Sequence, residues 1–195
     1  WEQTNGKITH LIASSGTGGT ISGIGRFLKE KNRNIKIIGV DAFGSALKKF
    51  HETGEFDESE IYPYRIEGMG KNLIPTSTDF KVIDHYEKVG DEESAHCARE
   101  IACKEGLFVG YTSGACLQAL KQLNKNNIFE SDSVLEKLRA KKVYLLVTHR
   151  EQPPLSLRQS KLVLVFAQVP DLCLHFQTYE TPRYTRQFYL TKVSS

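Results

Sequence analysis

At 195 residues, 39% hydrophobic and 25% charged, the chain is long enough to bury a real core and has the composition of an ordinary globular protein. No apolar run nears the roughly 20 residues of a membrane span, and residues 1–15 lack the basic start and apolar core of a signal peptide, so no membrane partner is expected. The net charge of +3 arises wholly beyond residue 149, since residues 1–149 carry 20 basic and 20 acidic side chains; with no basic stripe in that main body, nucleic acid is not an expected partner.

The first pattern is strand, turn, helix. The apolar run Ile8 to Ala13 leads into Ser14-Ser15-Gly16-Thr17-Gly18-Gly19-Thr20, and Ile21, Ile24 and Leu28 continue at helical spacing. Such a turn offers several backbone N–H groups at the positive end of a helix, where a phosphate is well received. Glycine lets the backbone approach the ligand and take φ > 0. Thr17 and Thr20 add hydroxyl donors, and each hydrogen bond to a charged oxygen is worth about 1.5–3 kcal/mol. The plainer reading is a structural turn with glycines for tight packing. Two nucleotide loops fail here. The third glycine of G-x-G-x-x-G falls on Ile21, and Ile24 and Gly25 stand where G-x-x-x-x-G-K-[ST] needs Lys and Ser/Thr.

Ile35 to Asp41 reads as a buried strand, which makes a βαβ unit with parallel strands. Ser45 to Phe50 suits a short helix. The long connection over 42–79 contains Glu67-Gly68-Met69-Gly70-Lys71-Asn72-Leu73-Ile74-Pro75, and a glycine-rich loop of that length is more often functional than idle. Lys81 to Tyr86 predicts a strand. Asp91 is the expected cap of a helix running to Glu105, with Gly106 as its stop and Ala95, Ala98, Ile101 and Ala102 as its buried face. Leu107 to Gly110 predicts a short strand. Tyr111-Thr112-Ser113-Gly114-Ala115 opens another helix, with Leu117, Leu120 and Leu123 on its apolar face. By the rule that parallel sheets bind ligands at strand C-terminal ends, the 14–20 turn, Asp41 and the 111–115 turn share one edge. Simple capping is the plainer role for Thr112 and Ser113. Cys97, Cys103, Cys116 and Cys173 include no C-x-x-C pair and the histidines no metal spacing, so free thiols, a reducing cytoplasmic location and no metal site are expected.

Four motifs in order carry a resemblance: Ser15-Gly16-Thr17-Gly18-Gly19-Thr20, Ile38-Gly39-Val40-Asp41, Glu67-Gly68-Met69-Gly70 with Ile74-Pro75, and Glu105 to Ala115. Over about residues 2–130 the chain resembles the fold-type-II pyridoxal-phosphate enzymes, the cystathionine β-synthase and cysteine synthase family. The segment His51 to Tyr64 looks more like a bacterial cystathionine β-synthase than a cysteine synthase. The resemblance implies an α/β fold, a parallel twisted sheet flanked by helices, matching the C-terminal part of the family's large domain. It implies pyridoxal 5′-phosphate as cofactor, its phosphate held by Gly16, Thr17, Gly18, Gly19 and Thr20. Thr112 would set its hydroxyl against the pyridine nitrogen, with Ser113 as the alternative, and Gly68 and Gly70 would line the substrate pocket. The implied reaction is β-replacement on a small amino acid: serine or an O-acylserine loses its β-substituent and a thiol, homocysteine or sulfide, takes its place. The intact family members are homodimers as a rule.

Two departures qualify this. No lysine here occupies the family's S-x-K-x-R context, so the Schiff-base lysine is not among these residues, and Lys71 and Lys104 belong to other motifs. The chain opens at Trp1 and its only methionine is Met69, so a preceding segment is expected and this stretch alone is expected to be inactive. From about Asp132 the sequence drifts from the family. Val143 to Val147 predicts a last strand, which sets an α/β unit at 1–147 and an unrecognised tail at 148–195. Leu162 to Phe166 and Leu172 to Phe176 are strand-like and aggregation-prone. The tail reads as a translated frameshift, as an added segment, or, from Arg183, Arg186 and Lys192 among aromatics, as a nucleic-acid-binding arm. Two other functions remain beside the enzyme: a non-catalytic anion-binding α/β protein, and a truncated product without function.

Overall fold

A computed structural model describes residues 1–6 and 8–126 and the backbone of three strands at 143–150, 160–168 and 173–179. Its sheet begins with β1 (His10–Ser14), β2 (Lys36–Ala42) and β3 (His85–Val89), and β1 also pairs with β4 (Val143–Arg150). All three pairings are parallel. Then β5 (Ser160–Gln168) and β6 (Cys173–Tyr179) add antiparallel, giving the order β3-β2-β1-β4-β5-β6. The expected parallel α/β arrangement holds over β1 to β4, and the strand-like runs beyond it extend the same sheet in the opposite sense.

Helix α1 (Gly19–Lys31) links β1 to β2, and α2 (Leu47–Thr53) stands between β2 and β3. Helices α3 (Asp91–Glu105) and α4 (Tyr111–Lys125) pack on each other. Alternation along the strands sorts the core into two layers. Leu11, Ala13 and Ile37 face Ile21 and Leu28 of α1 and Leu47 of α2. Ile12, Ile38, Val40 and Ala42 face Cys97 and Ile101 of α3 and Leu117, Leu120 and Leu123 of α4. A sheet covered on both faces explains the unbroken apolar runs Leu11-Ile12-Ala13 and Ile37-Ile38. The chain moves outward from β1 through β2 to β3, then returns to place β4 on the other side of β1. The turn after β1 therefore sits at the reversal of strand order, where open α/β sheets leave a crevice.

Three local expectations are corrected. The strand predicted from Lys81 begins at His85, because Asp79 accepts the Lys81 N–H and winds Phe80–Val82 into a 3-10 turn. Gly90, not Asp91, is the N-cap of α3; the Asp91 carboxylate accepts instead from the N–H groups of Arg65 and Ile66. On the same helix Ser94, Cys97 and Ile101 are buried, while Ala95, Ala98 and Ala102 are only half-buried. Residues 107–110 are extended but belong to no strand: Leu107 and Val109 turn to the core and Phe108 is 90% exposed.

Candidate functional site

The turn between β1 and α1 is shaped around a small cavity of about 110 Å³, lined by Ala13, Ser14, Gly16, Thr17, Gly18, Thr20, Ile21 and Gly68. Two of its glycines, Gly16 and Gly18, have no room for a side chain. A Cβ on Gly16 would lie 2.5 Å from the Gly68 carbonyl oxygen, so the 67–70 loop is laid directly over the turn. Gly18 is the N-cap of α1 and takes φ 77°, a left-handed conformation that favours glycine. A Cβ there would sit 1.8 Å from Thr78 Oγ1. Gly19, by contrast, is exposed, has open space around it, and starts the helix.

A clasp on the outside of the turn was not legible beforehand. Ser77 Oγ and Thr78 Oγ1 both donate to the Thr17 carbonyl, at 2.5 and 3.1 Å. The Asp79 N–H donates to Ser22 Oγ at 2.8 Å, and Arg26 Nε donates to the Asp79 carboxylate at 2.8 Å. Arg26 holds that carboxyl below its usual range. The clasp orients the Thr17 peptide and ties the first turns of α1 to the connection ahead of β3. The hydroxyl run Thr76-Ser77-Thr78 after Pro75 was its one sequence signal.

The other sequence-predicted residues separate into two kinds. Gly68 is exposed and faces the cavity. Gly70 is buried and not part of its lining. Its N–H donates to the Ser15 carbonyl at 2.8 Å, its φ is 73°, and a Cβ would meet Tyr64 Oη at 2.6 Å. Asp41 reaches the expected edge but acts on the backbone, accepting from the N–H groups of Ala42 and Lys48 and so starting α2. Burial raises its pKa against those bonds.

The second turn of α4 meets the end of β1. Ser14 donates to the Cys116 sulfur through its backbone and side chain, and burial pushes that thiol up to about 12. One turn earlier stand Thr112, half-buried, and Ser113, fully buried and without a hydrogen-bond partner for its Oγ among the described residues. Tyr111 Oη donates to the Asp91 carbonyl at 2.8 Å. Asp91 thus joins the start of α4 to residues 65 and 66, at the entry to the 67–70 loop.

A cavity at the positive end of a 13-residue helix, walled by glycine backbone and two threonines, suits a phosphate group. Comparison with known proteins narrows the kind. The family model described as pyridoxal-phosphate dependent enzyme matches residues 1–136. The chain belongs to that family. It is 47% identical to cystathionine β-synthase of Apis mellifera over 126 residues, which is 65% of this chain and 24% of that protein. It is 41% identical to cystathionine β-synthase of Rattus norvegicus over 140 residues, 68% of this chain and 24% of the rat protein. A cysteine synthase of Buchnera aphidicola is 33% identical over 135 residues, 69% of this chain and 43% of the relative. The chain therefore spans about a quarter of the cystathionine β-synthases it matches. The resemblance to this family and its cofactor class stands, with identity higher to the cystathionine β-synthases than to the cysteine synthase. The bacterial likeness of 51–64 is a separate matter, since these synthases come from a bee and a rat. Among the described residues, no helix is long and apolar enough to cross a membrane.

Proposed function

We propose that this chain forms the phosphate-binding part of a pyridoxal-phosphate-dependent β-replacement enzyme acting on serine or an O-acylserine and a thiol. The observation that carries the reading is the cavity at the start of α1, closed above by Gly68. The residues fit the cofactor's phosphate: Gly16 and Gly18, which line the cavity, and Gly19 beside them would give N–H groups, and Thr17 and Thr20 would add hydroxyls. Four or five such bonds hold a phosphate without Lys or Arg. Thr112 Oγ1 would donate to the ring nitrogen. Ser113 suits that role less, because its Oγ is sealed within the protein while Thr112 keeps exposed surface. A neutral hydroxyl does not hold a proton on the ring nitrogen as a carboxylate would. Gly68 would border the substrate, and Gly70 would support it from behind by its bond to Ser15. When bound, the cofactor supplies an electron sink for loss of the β-substituent.

The 1–147 unit would be the cofactor-binding body of a homodimeric, cytoplasmic enzyme, and 148–195 a segment apart from it in origin. The family's lysine context is not found among these 195 residues, so the chain alone is expected to bind without turning over.

The test is a thermal titration. Inorganic phosphate and pyridoxal phosphate are expected to raise the melting temperature, and pyridoxal without phosphate to leave it unchanged. If neither anion raises it, the turn is not a formed site. Stabilisation by inorganic phosphate alone would favour the non-catalytic anion-binding reading. Borohydride trapping of a pyridoxyl group on one specific lysine, together with turnover, would overturn the expected inactivity.

A further inference from the structure

The turn that surrounds the cavity departs from a peptide held by a contact outside the motif. Gly39 leaves a notch on the α1 side of β2, where a Cβ would lie 2.4 Å from the Tyr86 ring. Tyr86, from β3, fills that notch and brings its hydroxyl to 3.0 Å from Ser15 Oγ. Tyr86 is 1% exposed and Ser15 is fully buried. The ring also packs against His51 and Phe80, with centroids 5.3 and 6.2 Å away. Ser15 immediately precedes Gly16. Its N–H donates to the Val40 carbonyl at 3.0 Å, and its carbonyl accepts from the Gly70 N–H at 2.8 Å. Its three polar groups thus engage three separate elements: β2, β3 and the 67–70 loop.

We propose that Tyr86 is a positioning residue for the phosphate site, acting through Ser15 across the Gly39 notch. The hydroxyl pair fixes the rotation of the Ser15 peptide. That peptide sets the direction in which Gly16 to Thr20 leave β1. Through Gly70, it also sets the placement of Gly68 over the cavity. Loss of either hydroxyl leaves the other buried without this partner, and the cost of an unsatisfied buried hydroxyl favours a shift of the Ser15 peptide. Burial keeps the Tyr86 phenol well above its usual range, with the Ser15 bond pulling the other way, so the pair stays neutral.

This rests on the reading of the cavity as a phosphate site, and the test separates the two. The full chain is titrated with inorganic phosphate as wild type, Tyr86→Phe, Ser15→Ala, the double variant and Leu28→Ala. Leu28 packs in the same core layer but is not among the residues that line the cavity. Tyr86→Phe and Ser15→Ala are each expected to weaken phosphate binding about three- to tenfold, and the double variant no more than either alone. Leu28→Ala is expected to lower the melting temperature and leave phosphate affinity unchanged. Amide exchange at Gly70 should quicken in Tyr86→Phe at a given melting temperature. Unchanged affinity in Tyr86→Phe, additive losses in the double variant, or an equal loss in Leu28→Ala would overturn the positioning role while leaving the phosphate site intact. A wild-type chain that binds no phosphate would overturn both. Should Tyr86→Phe not fold, Ser15→Ala carries the same expectation.

Discussion

Two stretches of this chain read alike and fold to different ends: the turn at 14–20 and the turn at 110–115. Each follows an apolar run, carries glycines and hydroxyls, and opens a helix of 13 or 15 residues. In the first, glycine makes empty space. Gly18 takes φ 77° and Gly16 lets the 67–70 loop close over a cavity. In the second, glycine removes space. Gly110 has an ordinary extended conformation, and Gly114 is pressed onto α3, where a Cβ would lie 2.0 Å from the Ser94 carbonyl oxygen. The first turn has a paired strand behind it and an outer clasp. The second has an extended link and a bond from Tyr111 to Asp91. Similar composition shapes a cavity in one place and a close helix crossing in the other, and the neighbours decide which.

Substitutions sharpen the contrast. The largest effect is expected at Gly114→Ala, which forces α3 and α4 apart and should cost about 3 kcal/mol or more in denaturant unfolding. A loss under about 1 kcal/mol would mean the crossing yields. Gly18→Ala combines a strained φ with a collision at Thr78, and should cost about 1–3 kcal/mol and abolish stabilisation by phosphate. Its neighbour is the control: Gly19→Ala meets nothing within 4 Å and should leave stability unchanged or slightly raised, since alanine favours the helix. Equal losses at 18 and 19 would remove the distinction drawn here.

Ser113→Ala should raise stability by up to about 1 kcal/mol, because it deletes a buried hydroxyl without a partner among the described residues. Lower stability would reveal a partner that the hydroxyl finds. The smallest effect concerns pH. Bonds from Lys104 and Lys121 hold the Glu100 carboxyl below its usual 4.5. Its stabilisation of the α3–α4 pair is present above pH 4.5 and is lost as pH falls through the depressed folded value. Glu100→Gln should flatten that part of the stability profile by less than about 1 kcal/mol, with no effect on phosphate binding.

The family, the fold class and the glycine-rich turn after β1 follow from short-range patterns: glycine spacing, helical periodicity and apolar strands with turns between them. Those are local properties, so the residue order by itself determines them. Most of the differing details are decided across long separations; the start of β3 is the local exception, set by Asp79 two residues before Lys81. Asp91 looked like a cap because a carboxylate at a helix start usually is one, but two N–H groups arrive from 25 and 26 residues away. Leu107 to Gly110 looked like a strand because alternation alone cannot show whether a neighbour is there to pair. Ser77 and Thr78 lie 60 and 61 residues from the peptide they clasp. Tyr86 lies 71 residues from Ser15 and reaches it only because Gly39 on the strand between them has no side chain. Sequence by itself determined the glycine and hydroxyl pattern of the turn after β1. Tertiary structure decided how rigidly that turn is held, because a buried hydrogen bond depends on which surfaces the fold brings together.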